Sequence, residues 1–335
     1  MNFIKSLTIG SLKTRHNLLV APLAGISDFA FREICRNFGA DLTFSEMVSI
    51  DGIIYDNEAT RRLLEIQMQE HPVGFQFFGS DPELFRQVIP RVEHLGAAVI
   101  DLNFGCPVRK VVNKGAGAAL LKNLGRLAEI VEAVRSVTDL PVTVKLRIGW
   151  DKERIVAVEA ACAAEAAGAM AVTVHGRTRS QGYSGSASWD EIAAVKTAVR
   201  IPVIGNGDVV DAVSARDMFR QTGVDGIMLA RGILGKPWVL RDILDDLSGR
   251  TPRPVPSLAD RLEIMQRHYR LELNDFSEFV ALSRMKKHFS WYTHGVPHAA
   301  RLRNRIFRAD RFEQVLQIFD DFRLEAERQK LFETG

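Results

Sequence analysis

The segment AVIDLNFGCP, residues 98–107, determines how the rest of the chain is interpreted. It begins as a short apolar run of the kind found in strands that are buried on both faces. It continues into Asn103 and Cys106, and the cysteine lies between a glycine and a proline. An apolar strand followed directly by polar side chains is typical of a parallel β-sheet with a site at the strand ends.

Seven other short apolar runs have the same character, and helical patterns separate them. Strands that alternate with helices form a parallel sheet, and eight such units close into a TIM (β/α)8 barrel. The sequence therefore predicts an α/β fold of this class over residues 1–247. The eight expected strands begin at Leu18, Ala40, Val73, Ala98, Val142, Ala171, Pro202 and Asp225.

The third expected strand is followed by a helix whose ends are marked in the sequence. Asp81 can cap its N-terminus, Pro82 suits its first turn, and Gly96 can end it. Apolar residues at helical spacing predict one face that packs against the sheet. They are Leu84, Val88, Val92 and Leu95.

The pattern changes at SGRTPRPVPS, residues 248–257, where three prolines interrupt it. No convincing strand follows. Residues 257–335 have the periodicity of about four helices, with breaks near Asn274, Gly295 and Asp310. Residues 248–335 are therefore expected to form a C-terminal helical bundle domain.

Positive charge is concentrated in this tail. Residues 281–311 contain eight basic side chains and one acidic one, whereas the whole chain has a net charge of +3. A block of this kind is a candidate binding surface for a phosphate-rich partner. Taken alone, it is more often a solvated helical face.

The composition excludes several classes of protein. A chain of 335 residues with 46% hydrophobic and 25% charged residues is typical of a globular enzyme. The N-terminal stretch lacks an apolar segment of signal-peptide length, so a cytoplasmic protein without a membrane partner is expected. The three cysteines are too far apart to suggest a disulfide framework or a metal knuckle, and no metal site is expected.

In a TIM barrel the carboxyl ends of the strands form the active site, so the residues at those positions indicate the chemistry. Nearly every expected strand delivers a hydrogen-bonding or ionisable group to that end. Besides Pro22 after the first strand, these residues are Glu46, Gln76, Asn103, Cys106, Lys145, Arg147, His175, Asn206, Asp208 and Arg231.

Lys145 lies within the apolar strand VTVKLR, and a buried cation requires an anionic or polarisable partner such as a reduced flavin. The glycines of GNGD, residues 205–208, suit a phosphate held on backbone N–H groups. Simpler interpretations stay open for single residues. Lys145 could extend to solvent, His175 could be a core histidine, and Gln76 could complete a barrel layer.

Cys106 has two interpretations. As an isolated thiol it is slightly more often an inert small residue. At the catalytic end of a barrel, a thiol that stays protonated at neutral pH can act as a general acid. No adjacent catalytic histidine or oxyanion hole is evident in the sequence, which disfavours a protease-like nucleophile.

Eight motifs occur in a characteristic order along the chain. They are APLAGISD from Ala21, FQFFGS from Phe75, DLNFGCPVRKV from Asp101, GAGAALL from Gly115, VKLRIGW from Val144, VHGRTRSQGYSG from Val174, GNGD from Gly205 and LARGILGKPW from Leu229. In this set the chain resembles the dihydrouridine synthases, flavin-dependent enzymes that reduce uridine in RNA. It is most similar to their bacterial B-type branch.

The resemblance implies FMN and NADPH as cofactors and Cys106 as the proton donor to C5 of uracil. It also implies an RNA-binding role for the helical domain, residues 248–335, with transfer RNA as the substrate. The barrel, residues 1–247, would bind FMN through the backbone of its first loop, through polar contacts to the ring system and through a phosphate site. In that order the residues are Pro22, Leu23 and Ala24; Gln76, Lys145 and His175; and Asn206, Gly207, Asp208, Ala230 and Arg231.

Two other functions compete with this one. A flavin barrel that acts on a free pyrimidine, as dihydroorotate dehydrogenases do, would explain the barrel end but not the basic tail. A non-catalytic RNA-binding protein would explain the tail but not Cys106 and Lys145. The sequence leaves open the uridine position, a ribosomal instead of a transfer RNA substrate, the preference between NADPH and NADH, and the oligomeric state.

Overall fold

The structure, a computed structural model, describes residues 3–328. Its strands are β1 (Thr8–Ile9), β2 (Leu12–Lys13), β3 (Leu18–Val20), β4 (Thr43–Ser49), β5 (Val73–Phe78), β6 (Val99–Phe104), β7 (Val142–Arg147), β8 (Gly149–Asp151), β9 (Arg154–Ile155), β10 (Ala171–His175), β11 (Val203–Asn206) and β12 (Gly226–Leu229).

Ten α-helices accompany these strands, and four more follow them in the described part of the chain. The first ten are α1 (Phe29–Asn37), α2 (Ile50–Ile54), α3 (Glu58–Arg62), α4 (Pro82–Val92), α5 (Arg109–Val112), α6 (Leu124–Arg135), α7 (Ala157–Ala166), α8 (Trp189–Ala198), α9 (Ala212–Thr222) and α10 (Val239–Leu247). The last four are α11 (Leu258–Asp275), α12 (Glu278–Tyr292), α13 (Ala299–Phe307) and α14 (Phe312–Arg328).

Eight of the strands form one parallel sheet in the order β3-β12-β11-β10-β7-β6-β5-β4. The ring closes between β3 and β4, the two ends of this order, where Leu19 bridges Leu42 and the Val20 N–H donates to the Leu42 carbonyl at 3.0 Å. All eight predicted apolar runs form these strands, and the TIM barrel is confirmed. Their β-branched and apolar residues suit positions that are covered on both faces, by the barrel interior and by the outer helices.

The N-terminal end of the barrel is filled by apolar side chains. Leu7 and Ile9 of the β1–β2 hairpin pack with inward-facing residues of the ring, among them Leu42, Ile204 and Met228. All five are at most 3% exposed. With this end closed, the C-terminal end is the mouth of the barrel.

Helix α4 confirms the predicted start but not the whole predicted face. The Asp81 side chain accepts the Glu83 N–H at 2.9 Å, and Pro82 is the first helical residue. The helix ends at Val92 and continues as a tighter 3₁₀ turn, which rotates Leu95 to the surface, where it is 40% exposed. Leu84 is only half-buried, and the buried face is formed by Phe85, Val88, Ile89 and Val92.

Helices α11–α14 confirm the four-helix tail and its breaks. Ser257 caps α11 in a reciprocal pair with Asp260. The helices share their own apolar cluster, which includes Met265, Tyr269 and Phe289. The expected domain also includes residues 329–335, which lie outside the described residues. Among the described helices, none combines the length and the apolar composition that a membrane span needs.

The tail docks beside the mouth of the barrel. Arg284 on α12 forms an ion pair with Asp28, which caps α1, and Lys287 donates to the Gly25 carbonyl. After β12, the Gly235 backbone lies so close to Trp291 on α12 that an added Cβ would overlap the Trp291 carbonyl. Since β3 and β12 are neighbours in the ring, both contacted loops lie on the same side of the mouth.

Replacing Gly235 with alanine should destabilise this docking. Gly235 has a φ of +72°, and Gly223 has a φ of +65° with no atom near its missing Cβ, so Gly223→Ala is the matched control. The control should cost about 1 kcal/mol for the left-handed backbone alone. Gly235→Ala should cost about 1–3 kcal/mol more because the methyl group has no space. Thermal unfolding measures both, and equal losses would contradict the close packing.

Candidate active site

All twelve residues assigned to the site from the sequence line a single cavity of about 410 Å³ at the barrel mouth. This volume lies within the range of small-molecule and cofactor sites. The twelve are Pro22, Leu23, Ala24, Gln76, Cys106, Lys145, His175, Asn206, Gly207, Asp208, Ala230 and Arg231.

Strand register brings the polar side chains to one level of the barrel. Asn103 on β6 is paired with Lys145 on β7, and His175 on β10 is paired with Asn206 on β11. Residues two apart on a strand face the same way, so a few in-register strands project several side chains into one opening. Glu46 is an exception because its carboxylate accepts the Gly25 N–H and it does not line the cavity.

The loop after β11 has the geometry of an anion-binding turn. Gly207 has a φ of +118° and Asp208 a φ of +60°, and a Cβ on Gly207 would lie 2.8 Å from the Ala187 Cβ. Their backbone N–H groups form no hydrogen bond with any described residue. Both N–H groups are therefore available to a ligand that approaches closely.

The Asp208 carboxylate, in contrast, is already in use. Arg177 donates to both of its oxygens at 2.7 and 2.9 Å, and the Ala187 N–H donates at 2.7 Å. A carboxylate would repel a phosphate, and this arrangement holds it against Arg177 instead. Asp208 can thus contribute to anion binding through its backbone and by fixing the loop.

Arg177 and Tyr183 were not predicted from the sequence as site residues. Arg177 is 3% exposed and orients the loop after β11, while Tyr183 lines the cavity and stacks on the Arg231 guanidinium at 4.6 Å. Both belong to the motif VHGRTRSQGYSG, which is the one sequence feature that could have indicated them as site residues. The motif cannot distinguish Arg177 from Arg179, whose guanidinium stacks on Trp150 instead.

The electrostatic character of the cavity is positive. Burial, followed by the charge of Arg147, lowers the pKa of Lys145 to about 8, and its ammonium donates to the Asn206 Oδ1 at 3.0 Å. Burial, followed by the nearby cations, holds the pKa of His175 far below its ordinary value, so His175 is neutral at pH 7. The Arg231 guanidinium forms no ion pair with a described residue. The cavity therefore favours an anionic ligand.

Cys106 lies on a rigid part of the wall. Its N–H donates to the Asn103 Oδ1 at 2.8 Å, and its carbonyl accepts the Ala118 N–H at 3.1 Å. The residue is 8% exposed, and burial raises the pKa of its thiol. A raised pKa keeps the thiol protonated at neutral pH, which suits a proton donor and not a nucleophile.

The cations of the basic block differ in what they contact. Arg284 and Lys287 bind the barrel, and Arg305 pairs with Asp321. Arg308 and Arg311 are exposed, and within the described chain neither forms an ion pair. Only part of the block is therefore available to an external partner.

The comparisons with known proteins agree with this geometry. Residues 19–327 match the family model described as dihydrouridine synthase (Dus). A probable tRNA-dihydrouridine synthase of Rickettsia conorii is 39% identical over 89% of this chain and 90% of its own length. The tRNA-dihydrouridine synthase B of Pseudomonas aeruginosa is 39% identical over 88% of this chain and 89% of its own.

Among solved structures, histamine dehydrogenase from Rhizobium sp. 4-9 superposes with a TM-score of 0.58 at 12% identity. The match covers 81% of this chain and 51% of that chain, and it supports the barrel fold alone. The family match spans nearly the whole described structure, including the mouth of the barrel and the tail. The chain therefore belongs to the dihydrouridine synthase family.

Proposed function

We propose that this protein is an FMN-dependent tRNA-dihydrouridine synthase that reduces the C5=C6 bond of specific uridines in tRNA with NADPH. The observation that carries the proposal is that a protonated thiol and a set of anion-binding groups line the same cavity. The printed names of the relatives support tRNA as the substrate. The exposed basic side chains of the tail support RNA over a free pyrimidine.

FMN fits the groups that the chain offers. Backbone N–H groups of Gly207 and Asp208, together with Arg231, suit the phosphate, and Asn206 and Ala230 complete that side of the cavity. Gln76, Lys145 and His175 suit the polar edges of the ring system, beside Pro22, Leu23 and Ala24. When bound, FMN would supply a hydride to C6 of uracil and would be reduced again by NADPH.

The protein itself contributes the proton. Hydride addition at C6 leaves negative charge at C5, and Cys106 gives its thiol proton to that carbon, so that one hydride and one proton saturate the double bond. Lys145 would place a positive charge beside the reacting ring, and the neutral His175 would place a hydrogen-bonding group there. Neither role requires the proton that Cys106 donates. The resulting Cys106 thiolate takes up a proton from solvent, which restores the thiol.

The two parts of the chain have separate tasks in this proposal. The barrel, residues 1–247, binds FMN and performs the reduction. The helical domain, residues 248–335, binds the RNA backbone through exposed cations such as Arg308 and Arg311. Its position beside the mouth allows one RNA to contact both, and the reacting base must leave its stack to enter the cavity.

Replacing Cys106 with alanine should separate the two half-reactions. The variant should keep its bound flavin and its NADPH oxidation, because neither needs the thiol. Dihydrouridine formation should fall by about 10²–10⁴-fold with the loss of a general acid. Product is measured by mass spectrometry of digested tRNA. Cys162→Ala, at a partly exposed cysteine on α7, is the control, and an unchanged yield from Cys106→Ala would remove the proposed role.

The thiol should also be protonated in the resting protein. In a Cys162→Ser background, the rate of Cys106 alkylation by iodoacetamide should be low at pH 7 and should still rise at pH 9, because burial raises the pKa of Cys106. Glutathione, an unburied thiol, gives the reference profile. A rate that levels off below pH 8 would mean a thiolate and would contradict the proton-donor role.

Removing exposed charge from the tail should weaken RNA binding. Arg308→Gln with Arg311→Gln should lower tRNA affinity and reduce the slope of log affinity against log salt by about 1 per residue that contacts a phosphate. Arg91→Gln with Arg220→Gln removes the same charge from exposed positions on barrel helices. Flavin content should stay unchanged in both. Equal affinities for the two double variants would assign the tail arginines to an ordinary solvated face.

A further inference from the structure

A chain of hydrogen bonds runs from the barrel interior to the Cys106 loop. Asp101 on β6 accepts the Thr143 hydroxyl at 2.6 Å and the Gln76 Nε2 at 2.6 Å. The Gln76 Oε1 accepts the Asn103 Nδ2 at 2.8 Å. The Asn103 Oδ1 in turn accepts the N–H groups of Gly105 and Cys106, at 3.1 and 2.8 Å.

The direction of every bond in this chain is fixed by chemistry. An ionised carboxylate only accepts hydrogen bonds, so Gln76 must turn its NH₂ group toward Asp101. Its carbonyl oxygen then faces Asn103, which must donate its own NH₂ group. The Asn103 oxygen is left for the two backbone N–H groups, which can only donate. Asp101 accepts at one end of this chain and two backbone N–H groups donate at the other. Only one orientation of both amides therefore satisfies every bond.

Burial makes this arrangement costly to change. Asp101 is 0% exposed, Gln76 is 1% exposed, and Asn103 is 8% exposed. Solvent cannot replace a lost partner at the depth of Asp101 and Gln76, so a flipped Gln76 amide would leave its oxygen facing the carboxylate and its NH₂ group facing that of Asn103. Burial raises the pKa of Asp101 to about 6, and the bonds from Thr143 and Gln76 oppose that shift. Asp101 is thus mainly ionised at neutral pH.

We propose that Asp101 is a positioning residue that orients Gln76 and Asn103 and thereby holds the Cys106 loop in its reactive position. The consequence for catalysis rests on the proposed function, whereas the effect on the loop does not. Asp101 reaches Cys106 only through other residues and is not part of the cavity wall. Its contribution is an acceptor at the inner end of the chain of hydrogen bonds, which holds the Gln76 oxygen toward Asn103.

We call the chain of hydrogen bonds from Asp101 to Cys106 the relay. Alkylation of Cys106 tests it without any RNA. The experiment uses the FMN-saturated protein in a Cys162→Ser background, because Cys35 is fully buried. Asp101→Ala removes the acceptor, and the rate of iodoacetamide alkylation should change by about fivefold, the effect of one lost hydrogen bond. Dihydrouridine formation at saturating tRNA should fall, with the KM for tRNA unchanged.

Two matched variants distinguish a loss of amide orientation from a general disturbance of the structure around Asp101. Asp101→Asn keeps an oxygen for Gln76, since its NH₂ group can donate to the Thr143 hydroxyl, and should alkylate within about twofold of the parent. Thr143→Val removes the other partner of the same carboxylate and leaves Gln76 held, so it should also stay within about twofold. If Asp101→Ala does not fold, Gln76→Met breaks the next link and should change the alkylation rate in its place.

The outcomes are distinct. A parental alkylation rate in Asp101→Ala would overturn the relay, and so would an Asp101→Asn rate equal to that of Asp101→Ala, which would assign the effect to charge. If the alkylation rates follow the expected pattern while the parent forms no dihydrouridine from tRNA, the relay stands and the proposed function fails.

Discussion

Closure of the parallel ring is the constraint on which the rest of the structure depends. The closing contacts are few: the Val20 N–H donates to Leu42 on one side, and the Ala21 N–H donates to Leu229 at 2.8 Å on the other. These bonds bring the first loop, with Pro22–Ala24, beside the loop that follows β12. The cavity and the platform for the tail exist only because the loops of the first and last barrel strands are neighbours in space.

Closure of the ring creates a mouth with incompletely neutralised positive charge, which favours binding of an anionic ligand. Lys145 is held with a lowered pKa, and Arg231 lacks an anionic partner within the described chain. A desolvated cation such as Lys145 is costly unless something anionic binds it, whereas Arg231 is exposed. The protein meets part of that cost internally, through Asp208 on Arg177 and through Asp101 below Lys145. The remaining positive charge lines the cavity, where it favours an anionic ligand.

The sequence predicted the barrel and its polar end well because both follow from short-range rules. A buried parallel strand is recognisable from its apolar run, and the residue after the run must lie at the mouth. The prediction failed at Leu95, which leaves the expected face because a 3₁₀ turn follows Val92. The ion pair between the Asp208 carboxylate and Arg177 was not predicted, because no local pattern specifies it.

Long-range pairing also explains why the sequence shows the number of basic residues in the tail but not the role of each one. Arg284 lies 256 residues from Asp28 in the chain, so its role in docking cannot be read from the block itself. Of the block's other cations, Arg308 and Arg311 form no ion pair with a described residue. Some of the eight charges therefore hold the tail on the barrel, others pair within the tail, and others stay exposed, and only the folded structure separates them.

The docking contacts connect the tail to the cavity through one loop. Lys287 bonds to Gly25, directly after the residues that line the cavity, and Arg284 binds Asp28 at the end of that loop. Arg284 also donates to Glu272 at 2.9 Å, and burial, followed by the Asp28 carboxylate, raises the pKa of Glu272 to about 8. At neutral pH the two carboxyl groups thus retain one proton and one negative charge, which Arg284 balances. This junction holds the first loop in place, so it connects helix α12 directly to the wall of the cavity.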